Sequence, residues 1–215
     1  LVQERFADQN PFVRTKAVQG LIKVAELEVK FIPRRQIFTD LAVRSLDDKS
    51  SLVRRNAIKL MSKLVMSHPF STFHGSSLDL KTWKKRLGEA RRKLESLTNA
   101  DVPEDPAQPA MSLSNVSLAE INGADLIKVK LTMKYYEEAI RFIESIEKGA
   151  VRASKLLHSR NKNEVLEAMD FFVLADAYDV SKSKVGVKRM LHLVWMKGTN
   201  DDGTSITNHL FECYK

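Results

Sequence analysis

Two stretches of this chain align without gaps at an offset of 40 residues. Asp8-Gln-Asn-Pro-Phe-Val-Arg-Thr-Lys-Ala17 lies over Asp48-Lys-Ser-Ser-Leu-Val-Arg-Arg-Asn-Ala57, so that Asp8 meets Asp48, Val13 meets Val53, Arg14 meets Arg54 and Ala17 meets Ala57. Lys23 and Lys63 continue the register. A fixed period of this length means one supersecondary unit repeated, each copy burying its apolar face only against its neighbours. Val13, Ala17, Leu21 and Val24 recur at helical spacing, as do Val53, Ala57, Leu60 and Leu64. Asp, Asn or Ser ahead of each stripe caps a helix start, and Pro11 suits a first turn.

A second helix precedes the repeated one: Pro33 opens Arg34 to Leu46, with Ile37, Phe38, Leu41 and Val43 as its expected apolar positions. Two helices per unit and a period near 40 define an all-α fold, a HEAT-type helical repeat solenoid of stacked antiparallel helix pairs. Eight Gly and six Pro in 215 residues leave few breakers for helices of that length.

Three segments are expected along the chain. Residues 1–97 hold two repeat units and a basic amphipathic helix. In that helix Leu80, Trp83, Leu87, Ala90, Leu94 and Leu97 form one apolar face. Residues 98–112, with three prolines, three acids and no periodicity, read as a flexible acidic linker or loop. Residues 113–215 read as further, degenerate helix pairs. One helix is expected from Leu126 to Ile146, ended by Gly149, and a shorter one from Val151 to Leu157. Another pattern contains Val165, Ala168, Met169 and Phe172. The next runs from Val185 to Met196, with Val187, Leu191 and Val194 buried and Lys184, Lys188 and Arg189 outside. The chain starts at Leu1 and stops inside a helical pattern, which reads as a piece of a longer protein.

Net charge is +8, and it sits in the first half. Residues 1–100 carry 20 Lys/Arg against 10 Asp/Glu, and residues 101–215 carry 15 against 17. Seven cations crowd into residues 81–93: Lys81, Lys84, Lys85, Arg86, Arg91, Arg92 and Lys93, with Glu89 the one acid among them. That density suits nucleic-acid phosphates or an acidic protein face, and a solvated helix face is the plainer alternative. Trp83 reads as a core anchor. Arg14 and Arg54 admit phosphate contact, but their in-register repetition favours a structural ladder with Asp8 and Asp48.

No constellation for catalysis is legible. The five His are scattered, and Cys213, the one Cys, has no partner at zinc-ligand spacing, so no metal and no cofactor is expected. A single Cys also excludes an internal disulfide and fits a reducing compartment. Gly198 to Ser205 has the glycine spacing of a phosphate loop but lacks its Lys. No stretch approaches the length of a membrane span. No Ser-Pro or Thr-Pro pair is present.

Three stretches go beyond a generic repeat: Leu46 to Leu60 with His68-Pro-Phe70, Tyr136 to Ile143, and Glu164 to Phe172 continuing to Gly186–Trp195. In these the chain resembles the HEAT-repeat regulatory, non-SMC subunits of condensin. The resemblance implies a non-catalytic scaffold held by a kleisin subunit beside a pair of SMC ATPase heads. It also implies double-stranded DNA contacts during mitotic chromosome condensation and a place in the nucleus and on chromosomes, with the cytoplasm outside mitosis. The DNA-contact candidates are the seven cations of 81–93, with Lys188 and Arg189 secondary; the Lys197-Gly198 loop is the candidate partner loop. The alternative is a HEAT or armadillo protein-binding scaffold, of the transport-adaptor or phosphatase type, without a DNA role.

Overall fold

The computed structural model describes residues 2–27, 32–99, 114–196, 198–200 and 203–215. After a 3₁₀ turn at Gln3–Ala7, the helices are α1 (Pro11–Glu26), α2 (Ile32–Ser45), α3 (Ser51–Met66) and α4 (Ser71–His74). They continue as α5 (Leu80–Asn99), α6 (Ser114–Leu156), α7 (Lys162–Ala177), α8 (Ser183–Met190), a 3₁₀ turn at Leu191–Trp195, and α9 (Ile206–Cys213). No strand occurs among the described residues; one isolated bridge joins Thr199 and Ser205.

The chain forms two compact units. One comprises Leu1–Leu80 with Arg141–Lys215, and the other is Lys81–Ile140. The second is therefore nested within the first, and α6 runs through the boundary at 140. Most of the linker expected over 98–112 lies outside the described residues; Thr98 and Asn99 belong to α5.

In the first unit α1, α3, α7 and α9 pack in succession. A second row is formed by α2 and the Arg141–Leu156 part of α6. They are joined where Gln36 Nε2 donates to Ser145 Oγ at 2.9 Å, Ser145 Oγ donates to Asp40 Oδ1 at 2.9 Å and Arg152 Nη1 donates to the Val43 carbonyl at 3.0 Å. The same device starts three of the stacked helices. Asp8 accepts from the Asn10 amide (2.9 Å), Asp48 from the Ser50 amide (2.8 Å) and Ser159 from the Asn161 amide (3.1 Å). Each bends the backbone into the cap, satisfying amides that the helix leaves unpaired. Helix α7 is thus the third copy of the repeated helix, 111 residues after the second instead of 40.

The core of this unit follows the apolar stripes: Ala17, Val18 and Leu21 of α1, Val53, Ala57, Leu60 and Leu64 of α3, and Val165, Ala168, Met169 and Phe172 of α7 are all buried. Each large aliphatic or aromatic side chain contributes roughly 1.5–3 kcal/mol of transfer free energy. His68 is buried between Phe70, Phe142 and Tyr178, with Nε2 3.2 Å from the Ser76 carbonyl. Burial is the main cause that holds its pKa below the usual value.

Four expectations are corrected. Gly149 does not end a helix; it lies inside α6, buried, where the helix crosses Met61 and Val43. A Cβ there would sit 2.9 Å from Met61 Sδ and 3.0 Å from Val43 Cγ2, so the glycine permits a close helix approach that offsets its poor helix propensity. For the same reason no separate helix starts at Val151. Helix α2 buries Arg35, Thr39, Ala42 and Val43, while Ile37 is exposed. Its inner face is partly polar: Arg35 donates to Ser67 Oγ and Thr39 to the Arg35 carbonyl. The helix expected over Val185–Met196 is α8 followed by the 3₁₀ turn Leu191–Trp195, and both are turned by about one residue from expectation. Gly186, Met190 and Leu193 face inward, because the Phe172 ring lies directly against Gly186, leaving Val185, Leu191 and Val194 exposed.

Replacing Gly149 by Leu should overpack this crossing and cost about 1–3 kcal/mol, read as a lower thermal midpoint by circular dichroism. Gly149→Ala should cost less, because the flexible end of Met61 can swing aside. Equal midpoints for Gly149→Leu and the parent would contradict the close approach.

Candidate partner-binding and nucleic-acid surfaces

The repeat arginines are consumed by the fold. Arg14 donates Nε and Nη2 to the two Asp48 oxygens at 2.7 and 2.8 Å, and Nη1 to the Asp8 and Gln9 carbonyls. Arg54 repeats the pattern one unit on. Its Nη1 donates to the Asp48 and Lys49 carbonyls, while Nε and Nη2 take Glu164 at 2.8 and 3.1 Å. The carboxylate partner has changed from an Asp ahead of the helix to a Glu in its first turn. Glu164 is fully buried and also accepts from Ser159 Oγ. Burial pushes the Asp48 carboxyl up, but hydrogen bonds from Arg14 and the Ser50 amide, with the charges of Arg14 and Arg54, hold it below the ordinary carboxylate range.

The cations of α5 are arranged differently. In the nested unit, Arg86, Glu89, Ala90 and Lys93 of α5 line one groove with Val129, Thr132 and Tyr136 of α6. Trp83 is fully buried, with Tyr135 and Tyr136 at ring-centroid distances of 6.1 and 6.0 Å. Arg86 lies 5.0 Å over the Trp83 ring, half-buried, and is spent on that cation–π contact. Arg91 Nη2 reaches Glu137 at 3.3 Å, an exposed pair of little energetic weight. Lys84 is exposed and is engaged in an interaction of its own. Lys81, Lys85, Arg92 and Lys93 are exposed and make no ion pair among the described residues. Of these, Lys81, Lys85 and Arg92 recur at i, i+4 and i+11, one stripe opposite the Trp83–Ala90–Leu94 face. Lys130 and Lys134 of α6 are exposed in the same unit.

The secondary candidates belong to the other unit. Lys188 is exposed; Arg189 donates Nη1 to the buried Ser154 Oγ at 2.7 Å, so its head group serves packing. Lys197 lies outside the described residues. Gly198 has φ +115°, a conformation that favours glycine, and packs against the Lys162 ammonium. Beside it, Arg160, Lys162, Asn163, Thr199 and Asn200 line a polar groove of about 350 Å³. Sequence reasoning missed this groove because its residues come from a helix start and a loop almost 40 residues apart. It also missed the exposure of Leu191, Val194 and Trp195, the last 84% exposed; helical spacing had placed the first two inside. No described helix is long and apolar enough to cross a membrane.

A row of capped helices tied by an arginine ladder, beside a second row, defines an all-helical repeat scaffold, the class of protein this chain represents. No protein-family model matches it. Over its whole length it is 47% identical to condensin complex subunit 1 of Saccharomyces cerevisiae and 38% identical to that of Schizosaccharomyces pombe, and it spans 21% of the length of each. Over 82% of the chain it is 27% identical to condensin complex subunit 1 of Xenopus laevis. The chain is a homologue of a segment of condensin complex subunit 1.

Removing Arg54 should leave the Glu164 carboxylate buried with only a hydroxyl partner. Arg54→Ala is expected to cost about 3 kcal/mol in urea unfolding. Arg14→Ala, whose pair keeps some solvent, should cost clearly less. Asp48 has a depressed native pKa, so its contribution is present above the unfolded value and disappears as pH falls below about 4. Stability of the parent should therefore drop more steeply there than that of Arg14→Ala; parallel pH profiles would show that Arg14 does not act on Asp48.

Proposed function

We propose that this segment is a non-catalytic scaffold of the condensin complex that contacts double-stranded DNA through the basic face of α5. Its partners there would be the kleisin and the SMC ATPase heads, and its place the nucleus and mitotic chromosomes. The observation that carries the DNA reading is the stripe of Lys81, Lys85 and Arg92, exposed and without ion pairs among the described residues, in a chain homologous to a chromosome-complex subunit. A structural role would consume these charges, as it consumes Arg14 and Arg54. Phosphate contacts need no base recognition, and exposed cations on one helix face suit that task. Lys84, Arg91 and Lys93 flank the stripe and extend its reach. The exposed Leu191, Val194 and Trp195 support a protein partner on the other unit, next to the Gly198 loop.

The test is a mobility-shift titration with short duplex DNA at two salt concentrations. The triple variant Lys81→Glu, Lys85→Glu, Arg92→Glu should bind more weakly. Its log affinity should also fall less steeply with log salt, by about 0.9 per lost phosphate contact. Unchanged affinity and slope, with the helical spectrum intact, would assign this face to an acidic protein partner instead.

A further inference from the structure

His209 and Cys213 stand four residues apart on α9, hence on one face of that helix, and both are half-buried against α7. Asp170 projects from α7 toward them. One ligand atom from each of Asp170, His209 and Cys213 lies within 4.8 Å of the others. Sequence reasoning left His209 among scattered histidines and Cys213 without a zinc partner, since Asp170 is 39 residues from His209 and only the fold unites them. His209 Nε2 is 2.7 Å from Asp170 Oδ1, a hydrogen bond in which a proton occupies the space between imidazole and carboxylate.

We infer that Asp170, His209 and Cys213 form a zinc-class cation site that clamps α9 onto α7. An imidazole nitrogen, a thiolate and a carboxylate oxygen are the donor set that Zn²⁺ accepts, three protein ligands leaving a fourth position to water. Around a tetrahedral Zn²⁺ such atoms stand about 3.3–3.6 Å apart. The imidazole–carboxylate pair, now 2.7 Å apart, must open by about 0.6 Å for this, with Cys213 Sγ within 4.8 Å of both partners. Burial, with the charges of Asp170 and Glu212, pushes the Cys213 thiol up to about 11, so a bound cation must displace the sulfur proton. Glu212 is itself engaged by Lys215 at 2.7 Å, so it remains outside the ligand set.

Titrating the 215-residue chain with Co²⁺ as a spectroscopic probe tests the site. One equivalent should give tetrahedral visible bands and a near-ultraviolet sulfur-to-cobalt charge-transfer band, both displaced by Zn²⁺. Cys213→Ser should abolish the charge-transfer band. Asp170→Asn and His209→Asn should each weaken binding by on the order of tenfold or more. Stoichiometric Zn²⁺ should raise the thermal midpoint of the parent and not of Cys213→Ser. Absence of the charge-transfer band, or equal affinity in Asp170→Asn and His209→Asn, would overturn the assignment and leave the His209–Asp170 contact as a plain interhelical pair.

Discussion

The guanidinium of Arg54 closes on a carboxylate 110 residues away, and the third repeat depends on that contact. A buried ion pair adds little over an apolar contact of the same size, since desolvation offsets most of the attraction. Its force lies in what it forbids. Glu164 is wholly buried, so any register of α7 against α3 that misses Arg54 strands a charge in the interior. The neighbouring pair, Arg14 with Asp48, closes a loop of only 34 residues. The longer closure costs about 1 kcal/mol more in chain entropy, a small sum beside the penalty for a stranded carboxylate. A whole compact unit is thereby accommodated between two repeats without loss of their stacking.

The division of charge follows from this arrangement. Arginines at the repeat positions have every nitrogen committed to carbonyls and carboxylates of the stack. In the nested unit the aromatic cluster of Trp83, Tyr135 and Tyr136 holds the helix pair together, with Arg86 laid over the indole. Lys81, Lys85, Arg92 and Lys93 of α5 carry no structural duty that the described residues reveal. Cations held by the fold and cations left over by it are physically distinct groups, although side by side in composition they look alike.

The first two repeats were legible because their capping residues and apolar stripes lie in the same order 40 residues apart. The third was hidden for two reasons. Ser159 replaces the capping Asp, and the carboxylate that receives Arg54 has moved into the helix, so of the matches that join the first two repeats only Ala57 with Ala168 survives. The nested unit also destroys the spacing. The faces of α2 and α8 were misread because tertiary contact overrode apolar periodicity: Arg35 and Thr39 are buried with internal hydrogen bonds, and the Phe172 ring selects Gly186. The α5 cations could be read directly, since exposure follows from the strong apolar face opposite. Which of them are free could not, because Glu137 comes from a helix 46 residues on. The grouping of Asp170 with His209 and Cys213 likewise exists only in the folded stack.

A chain built in this order leaves the ribosome with an unfinished surface. Helix α3 emerges with Met61 awaiting Gly149 of α6 and Arg54 awaiting Glu164 of α7. At a synthesis rate of about 5–20 residues per second, roughly 6–20 seconds separate Arg54 from Glu164. During that interval the nested unit must appear and fold while the apolar side of α3 stays open to water. Interrupting a repeat array with a compact unit thus converts nearest-neighbour stacking into a long-range event, and makes the nascent second repeat a natural client for a chaperone.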